Sequence, residues 1–145
     1  MITIDEYEFD ESLYYYTPGD GHIWVKKKDN GNVLIGFDDF GQQLAGKILF
    51  VRTIPAGNDR AKGSTIGTIE TGKYVGALKC PINGEIIEIN PKIKNQPDII
   101  NEDPYGEGWI AEIKPSSLEE DLKEDFVYGE DALREWIKEE IKEHA

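Results

Sequence analysis

Short apolar runs separated by turn residues dominate the chain between residues 23 and 113. The runs at 23–25 and 33–37 flank Asp29-Asn30-Gly31-Asn32, which suits a hairpin turn because Asn-Gly tolerates positive φ. A further run covers 47–52, and Gly, Pro, Asn and Asp then interrupt the chain at short intervals. Many short strands with regular turns predict a small β-sandwich or barrel.

A short helix is predicted inside this β-rich region. Asp39 is followed three residues later by Gln42, which is an acidic version of a capping box. The helix is expected to run through Leu44 and to end at Gly46, since glycine is favoured at the position that follows a helix.

After residue 115 the apolar spacing changes to that of helices. Ser117 and Glu120 form a candidate capping box for a helix that Gly129 ends. This helix would carry Leu118, Leu122 and Phe126. A second helix is predicted from about Asp131, with the opposite face charged. The apolar stripe expected to pack on the β-domain is Leu133, Trp136, Ile137 and Ile141.

These patterns divide the chain into three parts. Residues 1–14 form an acidic lead with no clear period, 15–115 form the β-domain, and 116–145 form the C-terminal helices. A chain of 145 residues fits one domain.

Composition excludes several functional classes. The 29 acidic and 16 basic residues give a net charge of −13, which disfavours nucleic-acid binding and favours partners with basic faces. No run of 18 apolar residues is present, so no membrane span is predicted. The acidic N-terminus does not resemble a signal peptide, and the single Cys80 suits the cytoplasm. Two distant histidines and one cysteine lack the spacing of a metal site.

Lys73 is the strongest candidate for chemistry. The β-branched runs 64–70 and 74–78 flank Thr71-Gly72-Lys73 and predict a hairpin with the lysine at its tip. Exposed tips often carry function, and a lysine there can accept a long acyl cofactor. Glu70 is a candidate recognition residue for the modifying enzyme, and Gly72 is expected to supply an unusual backbone angle.

The surrounding sequence resembles the lipoyl-carrier H protein family of the glycine cleavage system. The resemblance covers about residues 15–115 and rests on four ordered segments. They are His22-Ile23-Trp24-Val25, the stretch 36–48 (Gly-Phe-Asp-Asp-Phe-Gly-Gln-Gln-Leu-Ala-Gly-Lys-Ile), Glu70–Lys73 with the following 80–90, and Asn101-Glu102-Asp103-Pro104-Tyr105-Gly106-Glu107-Gly108-Trp109.

The resemblance implies a lipoyl/biotinyl-carrier-type flattened β-barrel, the barrel-sandwich hybrid, with lipoate bound covalently to Lys73. A lipoate ligase or lipoyl transferase would attach it. The arm would then shuttle an aminomethyl intermediate between glycine decarboxylase, aminomethyltransferase and dihydrolipoamide dehydrogenase. The chain would be a monomeric, non-catalytic carrier without a catalytic residue or metal of its own.

Departures from the family pattern leave alternatives open. Tyr74 is bulkier than the residue that usually follows the lysine and could close the space where the arm rests, and Ile23 replaces an acid. Both changes leave room for an H-like lipoate-binding protein that carries sulfur for a heterodisulfide-reductase-like complex in sulfur oxidation. A biotin carrier is disfavoured because Met1 is the only methionine. An unmodified interaction module is the alternative of another class.

Overall fold

The computed structural model describes residues 1–19 and 21–144, and it is mainly β with a few helices. The strands are β1 (Ile2–Ile4), β2 (Tyr7–Phe9), β3 (Tyr14–Tyr16), β4 (Ile23–Lys27), β5 (Val33–Phe37), β6 (Ile48–Thr53), β7 (Asp59–Arg60), β8 (Thr65–Thr71), β9 (Val75–Lys79), β10 (Gly84–Ile89), β11 (Ala111–Pro115) and β12 (Phe126–Tyr128). The helices are α1 (Asp39–Ala45), α2 (Lys92–Asn95), α3 (Ile99–Glu102), α4 (Leu118–Asp121) and α5 (Glu130–Glu143). None of the described helices is long and apolar enough to cross a membrane.

Two antiparallel sheets enclose the main core. The larger has seven strands in the order β12-β3-β4-β5-β11-β10-β7, and the smaller has three in the order β6-β8-β9. Ile23 and Ile35 of the larger sheet share one buried cluster with Ile66, Ile69 and Leu78 of the smaller. The predicted fold class, a mainly β carrier-type flattened fold with a short inserted helix, is confirmed as a sandwich of these two sheets.

A second core covers the outer face of the larger sheet. In β4, Ile23 and Val25 belong to the main core, whereas Trp24 points the opposite way and packs with Phe9 and Leu133. This alternation follows from the period of two along a strand. The N-terminal stretch, for which the sequence pattern predicts no element, forms the β1–β2 hairpin and contributes Ile4 and Phe9 to this core.

The prediction of a helix after Ser117 is wrong beyond the first turn. Only α4 forms, and Phe126 begins a strand that pairs antiparallel with β3. The Lys62 ammonium donates to the backbone carbonyls of Asp121 (2.8 Å) and Glu124 (2.7 Å), so a side chain distant in sequence satisfies them. Ser117 makes no capping hydrogen bond to the backbone of α4.

The second C-terminal helix is confirmed as α5. Leu133 and Ile137 are buried, and Trp136 is half-buried.

Ile137→Ala is expected to lower the free energy of unfolding by about 2–5 kcal/mol, because it leaves a cavity in the second core. Lys138→Ala, at the exposed neighbouring position, should change it by less than about 0.5 kcal/mol. Denaturant unfolding with equal slopes measures both changes. Equal stability of the two variants would show that α5 does not brace the sheet.

Candidate functional site

The tip of the β8–β9 hairpin places Lys73 in solvent, as the sequence predicts. The strands pair up to Glu70 and Val75, and the turn consists of residues 72–74. Buried Thr71 closes the turn by donating its backbone N–H to the carbonyl of Tyr74 at 2.8 Å. The base of the hairpin is fixed in the main core through Ile69 and Leu78, so an exposed lysine projects from a rigid support.

Gly72 does not supply the expected unusual backbone angle. The described glycines with positive φ are at positions 19, 31, 46, 57, 63 and 129, and Gly72 is not among them. A Cβ added at Gly72 would meet no atom within 4 Å. The residue therefore keeps the space beside Lys73 open without being required by the turn.

Glu70 is partly buried at the end of β8. It stands between Phe50 on one side and Val75 on the other in the register of the smaller sheet. Its carboxylate belongs to the surface beside the tip, a position compatible with the predicted recognition role.

The junction between α1 and β6 lies against the lysine. Gly46 has φ of +87°, which ends α1 in a conformation that favours glycine. A Cβ on Gly46 would lie only 3.2 Å from Cε of Lys73, so the lysine stem rests against this bare backbone. The helix begins one residue earlier than expected: Asp38 is the N-cap, and its Oδ1 accepts the backbone N–H of Gly41 at 2.8 Å.

Asn101 holds this junction in place from α3. Its side-chain nitrogen donates to Oε1 of Gln42 (2.8 Å) and to the carbonyl of Gly46 (2.9 Å). Its side-chain oxygen accepts the backbone N–H of Ile48 at 2.9 Å. One amide thus connects the end of α1 to the start of β6, next to Lys73.

A cavity of about 270 Å³ opens beside the tip. Its walls are His22, Phe37, Gly41, Gln42, Leu44, Ala45, Ile48, Ile69, Tyr74, Ala77 and His144. Tyr74 forms one wall without filling the space, because its ring lies over Gly76, where a Cβ would collide with it. The cavity is mostly apolar and suits a small hydrophobic group.

His22 lines the cavity and is itself buried. Its Nδ1 lies 2.9 Å from Oδ2 of Asp38, and its Nε2 lies 2.6 Å from Oε1 of Glu140. Burial alone would lower the pKa of His22, but the two carboxylates outweigh it, and the pKa is raised. Only the doubly protonated ring can donate to both carboxylates.

Two residues from the C-terminal part of the chain also belong to the site. His144 is exposed but also lines the cavity, and its ring centroid lies 5.8 Å from that of Phe40. Glu140 has no sequence signal of its own, since its partner His22 lies 118 residues away.

Cys80 is buried at the end of β9, and burial raises the pKa of its thiol to about 11, which makes the thiol a poor redox partner for lipoyl thiols.

Comparison with known proteins gives consistent similarities. The family model described as "Glycine cleavage H-protein" matches residues 13–140. Glycine cleavage system H protein 2 of Aquifex aeolicus is 44% identical over 133 residues, covering 90% of this chain and 81% of that protein. A probable glycine cleavage system H protein of Thermococcus gammatolerans is 41% identical over 124 residues, covering 86% and 90%. The crystal structure of a glycine cleavage system H protein from Mycobacterium marinum superposes with a TM-score of 0.67 at 27% identity, covering 74% of this chain and 87% of that one.

The His22 bridge should stabilise the fold in a pH-dependent manner. Because its folded-state pKa is raised, its contribution is complete below the unfolded pKa of about 6.5 and is lost as pH rises through the folded value. His22→Asn tolerates the positive φ of 52° but is too short to bridge both carboxylates. The stability difference between wild type and this variant should therefore be largest at acidic pH and should shrink on the alkaline side. A difference independent of pH would show that the ring acts only by packing.

Proposed function

Because the chain belongs to the glycine cleavage H-protein family, whose members are lipoyl carriers, we propose that Lys73 carries lipoate and serves glycine cleavage. The observation that carries the proposal is the exposed Lys73 at a rigid hairpin tip, next to an apolar cavity. Its partners would be glycine decarboxylase, aminomethyltransferase and dihydrolipoamide dehydrogenase. The chain itself would act as a carrier and not as an enzyme.

The residues present fit a lipoyl group. The space beside Gly72 is open, and the lysine stem rests against Gly46 without a side chain in the way. The apolar walls contributed by Phe37, Leu44 and Ile69 suit a dithiolane ring on a hydrocarbon chain. When bound, lipoate supplies a dithiolane that opens to take up the aminomethyl unit of glycine and is closed again by oxidation.

The contribution of the chain itself is to position the group bound to Lys73 and to shelter that group. The hairpin presents the attachment nitrogen, whereas α1 and His144, directly after α5, form walls that reduce the access of water to the cavity. His22 holds α5 against α1 through Glu140 and Asp38, and so keeps those walls together.

Protein produced with a lipoate ligase and lipoate should gain the mass of one lipoyl group, and Lys73→Arg should abolish the gain. Lys79→Arg, on the adjacent strand, is the matched control and should be modified like the wild type. Peptide mapping should place the group on Lys73. Modification that persists in Lys73→Arg, or that maps to Lys62 or Lys79, would overturn the assignment.

The lining of the cavity favours a second candidate, in which the lipoyl arm carries sulfur for a heterodisulfide-reductase-like complex. Among the described residues that line the cavity, none is a carboxylate. An aminomethyl adduct carries an ammonium, and burying it without a counter-ion is costly. Both nitrogens of His22 face the carboxylates of Asp38 and Glu140 and not the cavity, so among the described lining residues no side chain pairs directly with such an ammonium, and a neutral cargo such as sulfane sulfur is favoured.

The two candidates differ in what loads the lipoylated protein. On the glycine proposal, the protein with a glycine decarboxylase should support exchange of bicarbonate with the glycine carboxyl group. It should also be reduced by a dihydrolipoamide dehydrogenase with NADH. Lipoylated wild type that shows no exchange, but gains sulfur from a persulfide donor by intact mass, would replace glycine cleavage with the sulfur candidate. Lys73→Arg is the negative control in both assays.

A further inference from the structure

Exposed apolar side chains concentrate around the lysine. The described residues expose eight large hydrophobic side chains, and five of them lie near the tip: Leu44, Leu49, Phe50, Tyr74 and Val75. Phe50 is 55% and Val75 is 68% exposed, and each is a cross-strand neighbour of Glu70 on the outer face of the smaller sheet. We call Leu49, Phe50 and Val75 the tip patch. Clustered exposed apolar side chains of this kind mark interaction surfaces.

A register shift in β6 enlarges the tip patch. Ile48 faces Thr71 and Phe50 faces Glu70, so Leu49 is the extra residue of a bulge. Both Leu49 and Phe50 are exposed as a result, where regular alternation would bury one of them. The bulge lies directly opposite the end of β8 that leads to Lys73.

The segment 47–79, which contains the tip patch, has a net charge of the opposite sign from the rest of the protein. Residues 47–79 contain six basic residues (Lys47, Arg52, Arg60, Lys62, Lys73 and Lys79) and two acidic ones (Asp59 and Glu70), which gives 6 − 2 = +4. The remaining residues therefore carry −13 − 4 = −17. Lys47 and Arg52 are exposed on either side of Leu49 and Phe50, so the apolar centre is flanked by basic side chains, of which Lys47 also lies 4.0 Å from Asp98. Interfaces between proteins commonly have this apolar centre and polar rim.

We infer that the tip patch is the docking surface for the enzyme that acylates Lys73, and that this enzyme presents an apolar cleft with an acidic rim. The inference rests on the proposed attachment of lipoate. An enzyme that bonds to Nζ must cover the surface at the root of the lysine. Enzymes that act on the dithiolane meet the far end of a long arm and do not have to reach this surface.

The chemistry of attachment requires this close approach. With an acyl adenylate as donor, the Lys73 ammonium loses one proton to water and its nitrogen attacks the acyl carbon. The C–N bond forms, the bond between the acyl carbon and the phosphate oxygen breaks, and AMP leaves with the electron pair. The nitrogen then loses its second proton, which yields a neutral amide.

The test compares two pairs of exposed apolar residues. Phe50→Ser/Val75→Ser removes the centre of the tip patch, and Ile87→Ser/Tyr128→Ser removes exposed apolar residues of the larger sheet. The rate of mass gain is measured with a lipoate ligase, lipoate and ATP. The first pair should lower kcat/KM by at least about tenfold, chiefly through KM, whereas the second pair should match wild type. Equal rates for the two pairs would overturn the inference.

The rim is tested by two charge reversals that change the net charge by the same amount. Arg52→Glu and Lys138→Glu each change the net charge by −2, but only Arg52 lies on the outer face of the smaller sheet. Arg52→Glu alone should raise KM for lipoylation, and the effect should diminish as salt is added. An equal rise in KM for both variants would show that the overall charge of the protein, and not the basic rim, affects lipoylation.

A final comparison identifies the occupant. Each variant is lipoylated to completion by prolonged incubation, and its reduction by dihydrolipoamide dehydrogenase with NADH is measured. Reduction at the wild-type rate supports the attaching enzyme as the occupant, and a parallel loss would overturn that assignment. Wild type that is never lipoylated refutes the proposed function, whereas modified wild type with equally modified variants refutes only the docking surface.

Discussion

The amide of Asn101 is the interaction on which the carrier end of the molecule depends. Three hydrogen bonds connect it to Gln42, Gly46 and Ile48, and they satisfy two backbone groups where α1 ends and β6 begins. Without this amide, those backbone groups would lose partners in a partly buried junction, which is costly. The same junction supplies walls of the cavity and the surface on which the Lys73 stem rests. The motif that begins at Asn101 thus acts on the lysine from a distant part of the chain, through the backbone between them.

The two cores hold different elements of the fold in place. The main core fixes the hairpin that bears the lysine, and the second core fixes α5 on the far face of the larger sheet. His22 connects the two, since it stands at the start of β4, stacks on Trp136 at 4.6 Å and still lines the cavity. Asp38 serves both sides at once, with one carboxylate oxygen capping α1 and the other facing His22. A change in the packing of α5 would therefore alter the position of His22 in the cavity wall.

The sequence predicts the features that local chemistry controls. The Asn30-Gly31 turn, the end of α1 at Gly46 and the exposed hairpin tip follow from residues adjacent in the chain, and all three are found. The helix predicted through Phe126 fails because its competitors are distant: the edge of β3 pairs with the segment, and Lys62 binds its carbonyls. The His22–Glu140 contact and the burial of the N-terminal hairpin also depend on residues far apart in the chain, so the periodicity of apolar residues does not predict them.

Tyr74 shows how a departure in sequence is accommodated in structure. Taken alone, its bulk suggests that the space beside the lysine is closed. The structure pairs it with Gly76, whose missing side chain leaves a notch for the ring, and the cavity of about 270 Å³ remains. Size therefore does not decide which cargo a lipoyl arm on Lys73 would shelter. The decision passes to the chemistry of the walls, where the described lining residues include no carboxylate that could pair with a cationic cargo.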